Sequence, residues 1–96
     1  MFTWLNKQGV KSSKGFILQG VHRFYYHYLE GQRCIQVDVE PCTEPDGTYS
    51  EIVYLDSLQR WQPPFDSEKL TQKRVSEIRQ NISEALGFMG VKHSFK

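Results

Sequence analysis

Hydrophobic residues alternate with polar ones through the first half of the chain and switch to three- and four-residue spacing near its end, a pattern that predicts strands followed by one helix. The clearest alternation lies in two runs, Arg23 to Leu29 and Arg33 to Glu40, joined through Glu30, Gly31 and Gln32. These read as a β-hairpin. A two-residue loop, centred on Glu30-Gly31 or on Gly31-Gln32, pairs even positions of the first run with odd positions of the second. Phe24, Tyr26 and Tyr28 then stand beside Ile35, Val37 and Val39 as a core face. A three-residue loop would set the aromatics against Gln36 and Asp38, and it is rejected because a one-residue slip exposes a whole apolar set. The opposite face carries Arg23, Tyr25, His27 and Leu29 beside Cys34, Gln36, Asp38 and Glu40.

Turn residues divide the rest. A short strand at 9–12 meets the turn Ser13-Lys14-Gly15, and a second strand runs from Phe16 to Val21, with Gly20 marking a bend or bulge. Pro45-Asp46-Gly47 reverses the chain before a strand at 48–55, whose apolar residues fall on both faces and leave its inward side open. Residues 57–70 form a connector, extended at Pro63-Pro64. Val75, Ile78, Ile82, Ala85 and Leu86 then make one apolar stripe on a helix over about 71–87, with Thr71 as N-cap and Gly87 as the terminating residue. A short extended piece at 91–95 follows. The expectation is an α+β single domain over 1–96: an antiparallel, meander-like sheet of about five strands (9–56) with the C-terminal helix on one face and the other face partly free.

Composition sharpens this picture at three points. The aromatic fraction of 14% makes the core aromatic-rich. No apolar run suits a signal peptide or a membrane span, so a cytoplasmic location is expected. Cys34 and Cys42 lie roughly 25 Å apart if the strand between them runs straight, too far for a disulfide, and neither a CxxC pair nor a zinc-spaced His pair is present.

Net charge is +1, which argues against a protein that coats nucleic acid, but its distribution is uneven. Residues 1–33 carry +4, residues 34–58 carry −6 and residues 59–96 carry +3. Asp38, Glu40, Glu44, Asp46, Glu51 and Asp56 make up the acidic island, over two strands and their connecting loop. Such a patch is a solvated surface, a divalent-cation site, or a surface complementary to a basic partner; the ligand spacing of a calcium loop is missing. With exposed Tyr25 and His27 beside it, the patch suits steering toward a cationic protein.

Covalent chemistry finds little support. One of the two hairpin registers sets His27 across from Cys34, as a thiol nucleophile and its base would need. No Gly-rich strand-to-helix turn or GxSxG supplies an oxyanion hole. The aromatic run from Phe24 to Tyr28 beside Arg23 suggests nucleic-acid stacking, yet the pairing turns all but Tyr25 inward and places acids next to it. A nucleic-acid-associated accessory domain using Lys73, Arg74 and Arg79 on the helix stays as the alternative function, with a small enzyme third.

Several stretches together resemble a family of small bacterial immunity proteins associated with polymorphic or contact-dependent inhibition toxins. They are Trp4-Leu5-x-x-x-Gly9-Val10, Gly15-Phe16-Ile17, the Glu30-Gly31 hairpin leading to Ile35-x-Val37-x-Val39-Glu40, Ser57-Leu58-x-x-Trp61-x-x-Pro64, and Ile78-x-x-Asn81-Ile82-x-x-Ala85-Leu86. The resemblance implies a protein that binds a cognate toxin's C-terminal domain and blocks it without turnover, and the acidic island makes a basic nuclease one candidate. From the residues themselves no cofactor, no metal and no membrane are expected, and a homodimer is left open. The contact residues expected from the surface reading are Tyr25, His27, Asp38, Glu40, Glu44, Asp46, Glu51 and Asp56.

Overall fold

The register of the central hairpin organises everything around it. In the computed structural model, which describes residues 1–96, β4 (Tyr25–Glu30) pairs with β5 (Arg33–Thr43) so that Tyr26 opposes Val37 and Tyr28 opposes Ile35. The loop is the two-residue Gly31-Gln32, and Gly31 at φ +60° takes the first loop position of a II′-type turn. His27 therefore opposes Gln36, and Leu29 opposes Cys34.

Seven strands form one sheet in chain order, where about five were expected. The additional ones are β1 (Phe2–Asn6) and β7 (His93–Phe95); β2 (Gly9–Ser12), β3 (Phe16–His22) and β6 (Tyr49–Val53) complete it. Neighbours from β1 to β6 run antiparallel, whereas β7 joins β6 in parallel, so the sheet is mixed. A parallel edge strand needs a long crossover. Here a 3₁₀ turn (Leu55–Gln59), the proline segment and α1 (Gln72–Phe88) supply it.

Phe24 is the one expected core residue that lies outside. It is 48% exposed because β3 and β4 are joined through Arg23-Phe24, so the alternation stops before it. The bulge expected at Gly20 is present: Gly20 opposes Tyr26 and His22 opposes Tyr25, leaving Val21 unpaired and exposed.

The helix seals the inner face. Ile78, Ile82, Ala85 and Leu86 are fully buried against Phe16, Leu18, Tyr28, Ile35 and Val37, with Leu58 and Trp61 closing the end of the core. Thr71 caps the helix by accepting from the Arg74 backbone N–H at 3.1 Å. The helix runs one residue past Gly87, and Gly90 at φ +77° redirects the chain in its place.

Polar contacts align helix and sheet. Asn81 Nδ2 donates to the Tyr28 hydroxyl at 3.0 Å, Tyr28 donates in turn to Glu30, and Arg74 closes the ring on Glu30 at 2.5 Å. Phe2 packs edge-on to Phe16 and stacks on Phe88, so β1 is held by aromatic contacts at the helix C-terminus.

Ile82→Ala should destabilise the fold by about 2 to 5 kcal/mol through loss of buried methyl groups and the cavity left behind. Phe24→Ala should cost less than about 1 kcal/mol, since its ring is half in solvent. Urea unfolding of the two variants checks both values, and equal losses would reverse the assignment of inside and outside.

Candidate interaction surfaces

Two surfaces remain once the helix has covered the centre of the sheet. The first is the outer face, where cross-strand rows run through β3, β4 and β5 as Ile17–Leu29–Cys34, Gln19–His27–Gln36 and His22–Tyr25–Asp38. The rows grade from apolar to polar and then to aromatic with an acid. The Tyr25 ring stacks between two imidazoles, with centroids 5.2 Å from His22 and 5.7 Å from His27. Three rings in a stack lose little rotamer freedom on binding, and rigid aromatics of this kind anchor protein interfaces.

The acidic residues divide among several places. Asp38 and Glu40 are exposed on the outer side of β5, next to Tyr25 and Tyr54 respectively. Partial burial and the neighbouring Glu40 carboxylate raise the Tyr54 hydroxyl pKa. Asp56 is exposed in the 3₁₀ turn, one residue before Ser57, whose Oγ accepts from the Asp38 N–H at 3.0 Å. Glu44 and Asp46 sit on the β5–β6 loop, about 20 Å along the strand from Asp38. Asp46 accepts from the Thr48 N–H at 2.9 Å, and the Thr48 hydroxyl first and this backbone bond second hold its carboxyl below the usual range. The acids therefore form a stripe that follows β5 from Asp38 to its loop, with strands on both sides of it.

Glu51 leaves that stripe. It shares the inner face of β6 with Tyr49 and Val53, because Val53 opposes the buried Val39. Only 6% of it is exposed, and both carboxylate oxygens accept phenolic hydrogens: Tyr26 Oη at 2.7 Å and Tyr49 Oη at 2.5 Å. Burial first, and the bond to Glu51 second, push the Tyr26 hydroxyl far above its ordinary value; the same causes push Tyr49 up to about 12.

This pair of tyrosines floors the second surface, a cleft of about 420 Å³. The 17-residue helix is about 25 Å long and cannot span a molecule 43 Å in its longest dimension. Beyond the helix end the inner face opens, and Trp4, Val21, Met89 and Val91 line the gap, with exposed Lys7 and Arg23 at its edge. Sequence reasoning did not find this site. Its signal was the excess of apolar residues at Trp4, Val21 and Tyr49, but their convergence depends on three separate strand pairings.

The candidate chemistry of the remaining groups is limited by geometry. The register separates His27 from Cys34, and burial raises the Cys34 thiol pKa, which disfavours a thiolate nucleophile. Both cysteines are free thiols, and no cluster of three His, Cys, Asp or Glu side chains is placed to hold a metal ion. On the helix, Arg74 is engaged by Glu30 and Glu77, and the Arg79 guanidinium lies 4.8 Å above the Phe95 ring.

With the geometry of both surfaces described, the family comparison adds one finding: the model described as Immunity protein 74 matches residues 20–96. The chain belongs to the Immunity protein 74 family. The match covers the central hairpin, the Trp61 segment and the helix, and it begins within β3, so β1 and β2 lie outside it. No curated protein and no solved structure matches the chain significantly. No helix in this Immunity protein 74 family member is long and apolar enough to cross a membrane.

Three tyrosines bonded to carboxylates, Tyr26, Tyr28 and Tyr49, give the fold an alkaline limit. Their folded-state pKa values lie above the ordinary value of 10.0, so folding retains protons that the unfolded chain releases. The stability they contribute is complete below pH of about 10 and is lost as the pH climbs past it toward the folded values. Thermal melting across this range should show a falling midpoint, with a shallower fall in Tyr26→Phe; identical slopes would contradict the assignment.

Proposed function

We propose that this protein neutralises a cognate toxin effector domain by binding it, without turnover, through the outer face of its sheet. The observation that carries this reading is membership of the Immunity protein 74 family over residues 20–96. The surface supports it: Tyr25 and His27 supply a rigid aromatic centre, while Asp38, Glu40, Glu44, Asp46 and Asp56 border it with negative charge. An acidic border speeds encounter with a basic partner and fixes its orientation, and the aromatic centre supplies the slow off-rate. A toxin that acts on nucleic acid carries a cationic cleft, and it is the partner class this surface suits. Glu51 takes no part in this face, since it is buried on the opposite side.

The alternative of nucleic-acid binding through the helix is disfavoured by the internal engagement of Arg74 and Arg79. Phosphates would also meet the acids beside Tyr25.

Co-expression with the cognate toxin domain should restore growth, and killing that is equal with and without this protein would end the proposal. Charge reversal of Glu40, Glu44 and Asp46 to Lys should slow association by about tenfold or more at low salt and flatten the salt dependence of the on-rate. Stopped-flow mixing with the purified toxin domain reads both. Unaltered rates would remove the acidic border from the mechanism.

A further inference from the structure

The cleft beyond the helix end contains a buried carboxylate that makes no ion pair, although Lys7 and Arg23 stand among the residues lining the opening. Glu51 accepts hydrogen bonds from Tyr26 and Tyr49, but none of the four ion pairs in the molecule involves it. A carboxylate removed from water is costly to hold unless a positive group lies against it, and two neutral hydroxyls supply hydrogen bonds without supplying charge. The tyrosines orient the group, leaving each oxygen a second lone pair for a further donor.

The walls point the same way. Trp4, Val21 and Tyr49 are 46%, 46% and 50% exposed, and all three line this one cleft. Exposed apolar side chains that converge on one opening mark a place where another molecule docks. An occupant must then offer an apolar stem to these walls and a cationic head to Glu51. Arginine and lysine have that construction, and an indole and a phenol ring beside the path add attraction for the cation.

We propose that this cleft is a receptor for a single arginine or lysine side chain of a partner protein, seated with its head on Glu51 and its stem against Trp4 and Val21. The planar guanidinium suits it better, because it can reach both carboxylate oxygens at once. Exposed Lys7 and Arg23 at the edge select for acidic residues flanking that anchor, so the matching segment is a lone basic residue among acids. This differs from the cationic surface that the outer face suits, and it gives the protein a second contact on its other side. The inference rests on the toxin-binding reading only for the identity of the partner.

N-acetyl-arginine amide is the probe, titrated into the full chain while Trp4 fluorescence and the nuclear magnetic resonance signals of Trp4, Val21 and Glu51 are followed. Saturable binding is expected near 1 mM, roughly the strength open to a ligand this small. N-acetyl-citrulline amide, which lacks the charge, should bind at least about tenfold more weakly, and Glu51→Gln should abolish the difference. Val21→Trp, an exposed change that fills the cleft and leaves Glu51 in place, should block the probe if Glu51→Gln fails to fold.

Equal binding of arginine and citrulline forms, no binding of either, or tighter binding of a mononucleotide through its phosphate would each overturn the proposal. Failure of co-expression to protect cells leaves this result standing, and failure of the probe leaves the protection standing, so the two readings fall separately.

Discussion

The contact between the inner face of the central hairpin and the apolar stripe of the helix is the constraint from which the rest of this molecule follows. Tyr28 is at its centre, with its ring buried and stacked on Phe16 and its hydroxyl bridging Asn81 of the helix and Glu30 of its own strand. Neither partner is stable alone, because an isolated helix of this length is marginal in water and a two-stranded hairpin is no better. Once they meet, the other face of the same strands is committed to solvent. The row His22–Tyr25–Asp38 owes its exposure to this choice of side.

Length sets the second consequence. The sheet grows by β1 and β2 on one side and by β6 and β7 on the other, while the single helix covers only the middle. The uncovered inner end is where Glu51 sits, two strands from the tyrosine that binds it. The molecule therefore offers two unlike surfaces, one flat and acid-bordered, the other a cleft with apolar walls and a buried carboxylate. A protein that acts by occupying a toxin gains from such a pair, since two separate contacts multiply their selectivity.

Local sequence carried the central hairpin, the helix with its Thr71 cap, the Gly20 bulge and the α+β class, because each depends on periodicity or turn chemistry within a few residues. It failed where alternation stops or where partners are distant. Phe24 continues the aromatic pattern of Tyr26 and Tyr28, yet two residues of turn place it outside. Phe2 and Trp4 alternate as a strand should, but their partners are Phe16 on β3 and Phe88 on the helix, which no local signal joins to them. Tyr49, Val53 and Leu55 compete with Ile52 and Tyr54 for the inward side of β6. Only pairing with Val39 settles the matter, turning Glu51 from a surface acid into a buried one. The outer row of the candidate surface was legible because it is the complement of a legible core face, whereas the cleft assembles from four strands and the segment after the helix.

Hydrogen exchange of the free protein against the proposed toxin complex tests most directly which side meets the partner. New protection is expected at the outer-face strands β4 and β5 around His27, Gln36 and Asp38, with the exposed helix residues Lys73 and Gln80 exchanging as before. Protection concentrated on the helix, with the strands unaltered, would contradict binding through the outer face.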